Sequence, residues 1–456
     1  MKSFRYSFFT LIVSGLVLFL IGCQDAEEVG DDDWIEKDSN PIQEEERELT
    51  LRYMFYSGFE DDYNGDKLKE IFDRIKMDQG LTIQSESKSS DGYTAILADN
   101  ISRGEMPHII EFHATLPEDI NFMHEHTDHL LDLTDFLEDS GLIEEFHSLD
   151  HFTVDGRVYG LPVYSGGLTH LYYNKELVEE LGGVPETLDE FIAMMKEAKQ
   201  AGYNPIILDD QGDNSFSQLP YELFQGILLE TAGKEKIEAL MNGEAKWTDD
   251  EFLKALQLME EITNIDITRF DMYPDGLFNE FISGNTLFMY YNFPPEDAET
   301  FGIMQFPTAS ETKRDSAMMT GTFPFGYIFN GDVTEEEEKM IYQFIESFWS
   351  KEILSEYYLE EYLVPAVRVD ANTDNPLLNE SITLLNETHN IIPGIAGLAP
   401  YVEGLTSEFG TAVSSQEQYS WKLTDIVNNL LEGDITAQEA AEEIDVYHED
   451  FLKSAN

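Results

Sequence analysis

Three histidines stand beside carboxylates in the run His124-Glu125-His126-Thr127-Asp128-His129, a composition that could hold zinc. The spacing argues against it. At about 100° per residue on a helix, offsets of two and five residues point about 200° and 140° away from the first, so no face is shared. On a strand the third histidine falls on the opposite side. A solvated surface is the expected role, and no metal or other cofactor is expected. The 91 Asp and Glu make paired carboxylates for hydrolysis easy to imagine, but at that abundance nearness in sequence carries no information. No G-x-S-x-G elbow, phosphate-cradling glycine loop or H-E-x-x-H helix occurs. Chemistry on a substrate therefore has no positive signal, and binding is the reading to develop.

The elements that must position any binding residues are organised around the stretch 155–175, DGRVYGLPVYSGGLTHLYYNK. Asp155-Gly156 is a turn dipeptide, and Arg157-Val158-Tyr159 is strand-like. Leu161-Pro162 forces an extended path, because proline fixes its own φ and disfavours helix in the residue before it. Gly166-Gly167 frees the backbone, and a second strand, Leu168–Tyr173, enters a helix near Asn174. A glycine-hinged segment between two strands suits a chain crossing from one lobe to another.

Around this crossing, strands are predicted at 49–56, 81–84, 109–112, 205–208 and 302–307. Helices are predicted after residue 66, over 93–103, at 342–349 and over 436–452. Thr187/Glu190, Thr248/Glu251, Thr334/Glu337 and Thr436/Glu439 each read as a capping box opening a helix. Leu68, Ile71, Phe72 and Ile75 share one helix face, and Phe191, Met194 and Met195 read as core.

At 456 residues the chain favours two domains, and 42% hydrophobic with 12% aromatic residues is enough to build them. The formal charge of −64 would repel nucleic acid and anionic lipid headgroups. A surface built for solubility, in saline or alkaline surroundings, fits that charge. Residues 1–23 read as a signal peptide: Lys2 and Arg5, then a mostly apolar run from Phe8 to Ile21 that is short for a membrane span. It ends in Leu20-Ile21-Gly22-Cys23, which resembles the bacterial lipoprotein cleavage box, whose cysteine receives a diacylglyceryl group. Cys23 is the only cysteine, so no internal disulfide can form. Residues 24–48 hold 12 acids against 2 basic residues and read as an extended, self-repelling tether.

The order VYGLP, YYNKELVEELG, VPETLDEFIAMMKEAKQAG and NPIIL, followed by FISGNTLFMYYNF, GTFPFGYIF and YYLEEYLVPAVR, resembles extracellular solute-binding proteins of the maltose-binding type. These are the ligand receptors of ATP-driven sugar importers. The resemblance runs from about Leu49 to the C-terminal end. It implies an α/β class with the two-lobed type II periplasmic-binding-protein fold, each lobe a mixed sheet flanked by helices. The expected division is residues 49–163 plus 308–355 for one lobe and 164–307 plus 356–456 for the other. It also implies a monomer, lipid-anchored through Cys23 to the outer face of the cytoplasmic membrane, that delivers a carbohydrate to an ABC permease. Leu130-Leu131-Asp132-Leu133 matches a stretch that is structural in that family.

Sugars are held by aromatic faces against ring C–H groups and by carboxylates, amides and imidazoles on the hydroxyls. At the expected sheet edges, Tyr56, Phe112, Tyr164, Phe293 and Phe323 are the candidate platforms, and Glu111, His113, Asp209 and Asn292 the candidate polar partners. Where the family carries a tryptophan, this chain has Asn292 and Phe293. Only eight arginines follow residue 23, and none stands as a clear clamp in these loops, whereas an anionic ligand would want a bidentate arginine. The expected ligand is a neutral mono- or oligosaccharide. The alternatives are a lipid-anchored glycosidase and a receptor that feeds a membrane sensor.

Overall fold

The computed structural model describes residues 50–57, 65–89, 92–113, 117–165, 170–209, 219–265, 268–270, 279–291, 298–309, 317–319, 325–359, 364–387, 390–392 and 415–455. Ten strands build its two large sheets. They are β1 Thr50–Ser57, β2 Thr82–Ser89, β3 Ile109–His113, β4 Gly160–Pro162, β5 His170–Asn174, β6 Asn204–Asp209, β7 Thr268–Phe270, β8 Thr286–Tyr291, β9 Phe301–Met304 and β10 Phe325–Phe329. The first sheet has the order β2-β1-β3-β10-β4 and the second β7-β6-β8-β5-β9. In the first, β1 runs parallel to β2 and β3, while β10 is antiparallel to both β3 and β4. In the second, β6 is parallel to β7 and β8, and β5 is antiparallel to β8 and β9. The chain thus leaves the first sheet after Pro162, builds the second, and returns at Phe325 to fill the place between β3 and β4.

Strand β3, inside the first sheet, is covered on both faces, which is why it reads Ile-Ile-Glu-Phe without polar alternation, whereas the edge strand β2 is largely exposed. Leu51, Tyr53, Ile109, Tyr327 and Phe329 point into one core, closed by Ile71, Phe72 and Ile75 of the helix Gly65–Gln79 and by Ile341, Phe344 and Phe348 of the helix Glu335–Phe348. Met54, Tyr56, Ile110, Phe112 and Ile328 point the other way, onto Tyr93 and Leu97 of the helix Tyr93–Arg103. On the second sheet, Ile206 and Phe288 face a helical core while Ile207, Met289 and Ile303 face the opposite side. The helix Pro376–Glu387 serves both sheets: Leu378, Ile382 and Leu385 join the first core, and Leu377 joins the outer face of the second.

The turn signal at Asp155-Gly156 is a hairpin between Thr153–Val154 and Arg157–Val158, with φ of 51° and 77° at the two central residues. Both positive values are what a type I′ turn demands. Capping boxes form at Thr187/Glu190 and Thr334/Glu337, and Thr436 and Glu439 exchange the same bonds. The box expected at Thr248/Glu251 does not form. The helix there starts at Asp250, Glu251 pairs with Lys236, and the Thr248 hydroxyl donates instead to Asp445 at 2.8 Å.

Asp445 also accepts from the backbone N–H of Trp247 at 2.6 Å and of Thr248 at 3.3 Å, tying the loop before one helix to the C-terminal helix Ala437–Ala455. A distant carboxylate has replaced the local cap. Asp445→Ala leaves two partly buried N–H groups unpaired, and unfolding in urea should show a loss of about 2–3 kcal/mol.

Candidate functional site

The strand directions gather one set of side chains. Because β1 and β3 are parallel, Tyr56 and His113 end at the same edge of the first sheet. Because β10 is antiparallel to β3, it begins there, with Phe325 opposite His113; β4 ends there, with Pro162 opposite Gly326. Tyr164, two residues on, pairs through its backbone with Pro365. This is the carboxyl edge of an open α/β sheet, where such folds take ligands.

A buried polar network occupies it. Glu111, 4% exposed, accepts from the Tyr53 hydroxyl at 2.9 Å and lies 3.2 Å from His113 Nε2. Asp119, 2% exposed, sits in the first turn of the helix Pro117–Glu125. One of its oxygens accepts from the Tyr56 hydroxyl and the other from the His113 backbone N–H at 2.8 Å. The Tyr56 ring stacks on Tyr93 at 3.9 Å and meets the His113 ring edge-on at 5.0 Å. His113 in turn packs on Phe325 at 5.2 Å. The Tyr93 hydroxyl donates to the Met54 carbonyl at 2.9 Å.

Burial sets the ionisation of this cluster. It pushes the Asp119 carboxyl up to about 6, against the opposing pull of the Tyr56 hydroxyl and the His113 amide. Burial likewise raises the Tyr53, Tyr56 and Tyr93 hydroxyls well above the usual phenol range, so all three stay protonated donors. The edge is therefore an array of fixed donors and acceptors beside aromatic faces.

Of the expected site residues, Tyr56, Glu111 and His113 come together here. Phe112 alternates away from them: it is 1% exposed and packs on Phe152 at 5.6 Å in the core behind the edge. In the second sheet, Asp209 closes β6 beside Phe270, and β8 ends at Tyr291. Those two ends share one edge because β6 and β8 are parallel. Asn292, Phe293, Phe323 and Cys23 lie outside the described residues. Asp119, Tyr53 and Tyr93 were missing from the sequence reading. The signal for Asp119 was Pro117-Glu118-Asp119 just after a buried strand, since an acidic first turn is where a helix favours negative charge.

The three histidines do not converge on one point, although the rings of His126 and His129 lie 6.4 Å apart. His124 is in the helix Pro117–Glu125, His126 packs on Phe122 at 4.7 Å, and His129 Nδ1 lies 2.6 Å from Asp332. Among the described residues no group of three His, Cys, Asp or Glu is placed to hold a metal ion, and no helix is long and apolar enough to cross a membrane.

Residues 70–293 match the family described as bacterial extracellular solute-binding protein. An ABC transporter extracellular-binding protein of Pyrococcus horikoshii is 28% identical over 132 residues, 28% of this chain and 30% of that one. A lactose-binding protein of Rhizobium radiobacter is 37% identical over 83 residues, 17% of this chain and 19% of that one. The chain thus matches less than a third of the length of these relatives. Solved structures match far more of it. A family 1 extracellular solute-binding protein from Bifidobacterium longum subsp. infantis superposes with a TM-score of 0.65 at 18% identity, covering 88% of this chain and 98% of that one. The cyclic alpha-maltosyl-1,6-maltose binding protein from Arthrobacter globiformis gives 0.65 at 18%, covering 89% and 99%. The two kinds of match agree: residues 70–293 carry the bacterial extracellular solute-binding family, and the chain shares the fold of the solved solute-binding proteins.

Proposed function

We propose that this protein captures a neutral sugar or oligosaccharide between two halves and hands it to an ABC permease. The halves are the bodies built on the two sheets, with Leu359 and residues 364–385 taken into the first because Leu359, Val367, Leu378 and Leu385 pack in its core. The observation that carries the reading is the edge formed by Tyr56, Glu111, His113 and Phe325. It combines a carboxylate, an imidazole and aromatic faces without an arginine among its described members. Such a set bonds hydroxyls and covers C–H surface. The sugar-binding names among the relatives support the same class. Closure of the halves on ligand is a population shift toward the state with more contacts. A lipid anchor at Cys23 holds the receptor at the outer face of the cytoplasmic membrane, and residues 24–48 serve as its tether.

A thermal-shift screen over a carbohydrate panel, followed by calorimetry on each hit, tests this. Stoichiometric binding without turnover is expected; hydrolysis of the sugar would favour the glycosidase, and tight binding of a dicarboxylate with no sugar would overturn the reading. Glu111→Gln should weaken the identified sugar by about 10–100-fold. It removes the charge from an acceptor while keeping its shape, and a charge-assisted bond contributes about 1.5–3 kcal/mol.

A further inference from the structure

We infer that Asp119 is a positioning residue for this edge: it locks the ends of β1 and β3 into one arrangement by holding the Tyr56 hydroxyl and the His113 backbone N–H at once. The inference rests on the edge being the ligand site. Asp119 belongs to neither strand. It enters from the helix Pro117–Glu125, and its two oxygens are divided between the two strand ends. A single buried carboxylate therefore fixes the lateral spacing of the two. Tyr56 is fixed a second time by stacking on Tyr93, and His113 a second time by Glu111 and Phe325. Asp119 joins the two pairs by hydrogen bonds, beside the edge-on contact of the Tyr56 and His113 rings. A ligand meeting this edge meets His113 and Phe325 in an orientation that was set before binding, which lowers the ordering cost of association.

The same geometry makes the lock depend on ionisation. The ionised carboxylate accepts both bonds strongly, and the protonated acid can accept strongly at only one oxygen. The groups that face Asp119 are the Tyr56 hydroxyl from β1, the amide and imidazole of His113 and the Glu111 carboxylate from β3, and the Tyr93 hydroxyl from the helix Tyr93–Arg103. Tyr56 and the His113 groups favour the charged form, whereas burial and Glu111 oppose it. Its titration lies within reach of ordinary buffers, at about 6.

The test needs no ligand, so it can fail while the sugar-binding reading stands, or the reverse. The full chain is labelled with 15N-histidine, and the His113 amide is followed from pH 5 to 8. In the wild type this amide proton should move downfield in a single step as pH rises through about 6, because its acceptor gains charge. In Asp119→Asn the step should vanish. Tyr56→Phe keeps the carboxylate but removes one of its donors, so the step should remain and move up by about one pH unit. A merely structural role would destabilise the fold without producing this pair of shifts. The inference is overturned by a flat wild-type amide, by a step that survives unchanged in Asp119→Asn, or by a step that Tyr56→Phe does not move.

Discussion

Replacing Gly326 by alanine should cost about 3 kcal/mol or more and weaken the joint between β10 and β4. A Cβ built there lies 2.2 Å from the Leu161 carbonyl oxygen, 2.9 Å from its carbon and 2.6 Å from Phe152 Cζ. The first two are backbone atoms of the paired strand and cannot swing aside. The ladder from Gly326 to Pro162 must open, and overpacking of a closed core already costs about 1–3 kcal/mol before any hydrogen bond is lost. Phe152 makes the site tighter still, since its ring also lies 2.6 Å from where a Cβ of Gly160 would stand. One aromatic ring thus covers two glycines on neighbouring strands. Gly302→Ala is the control. There the clash is with the Tyr173 ring, whose nearest atom lies at 2.3 Å, on the strand paired opposite. That ring is half-buried and can turn, so the loss should be about 1–2 kcal/mol. Urea unfolding of the two variants decides it: equal losses would show that the strands yield as readily as a side chain.

These glycines show what a sequence makes legible. Gly160 opens β4 one residue after the strand Arg157–Val158 has ended, and Gly326, which shares the Phe152 ring with it, is 166 positions away, so nothing local connects the two. The hairpin at Asp155-Gly156 was legible because both residue types are dictated by a local positive φ. The same holds for Thr187/Glu190, whose reciprocal bonds span three residues. Thr248/Glu251 has the same spelling and fails, because Asp445, from the last helix, takes the threonine hydroxyl. Local chemistry was therefore readable, and its exceptions are contacts of long sequence separation.

The site followed the same rule. Glu111 and His113 could be placed at a strand end from the pattern of β3 alone. Phe112 lies between them, and the period of two turns it into the core. Asp119 could not be joined to Tyr56 by inspection, since the two are 63 positions apart and their bond depends on how the helix Pro117–Glu125 returns over the sheet.

Acidification from pH 6.5 to 5 should destabilise the protein through His147 and His151, and replacing both by leucine should remove most of that loss. Among the described residues, neither ring nitrogen of either residue has a hydrogen-bond partner. Burial depresses their imidazoles to about 3 and about 4, with Arg368 opposing the charged form of His147 as well. In the unfolded chain both would titrate near 6.5. Between about 6.5 and 4 the unfolded state therefore binds two more protons than the folded state, so stability is lost as pH falls, at up to about 2.7 kcal/mol per pH unit. Asp119 works in the opposite sense. Its folded value of about 6 lies above the unfolded one, so the folded state binds the extra proton there and about 1.4 kcal/mol per unit is regained. His108, His124 and His448 are also depressed by burial and add to the loss.

The location gives the loss its consequence. Phe146 bridges Val367, and the His147 N–H donates to the Ala366 carbonyl at 2.9 Å. Ala366 donates to Val163, at the point where the chain leaves the first sheet. Phe152, at the other end of this segment, wedges against Gly160 and Gly326. The strap 146–152 therefore joins the outgoing strand, the returning strand and the 364–368 segment, and charging its imidazoles loosens all three together. Leucine at both positions forfeits no hydrogen bond and removes two buried polar groups. The variant should gain about 1 kcal/mol or more at pH 7 and show a flatter profile below 6.5. The difference between variant and wild type, read from urea midpoints at pH 7, 6 and 5, cancels the general effect of neutralising an acidic surface. Parallel profiles for the two proteins would show that the strap takes up its protons without opening.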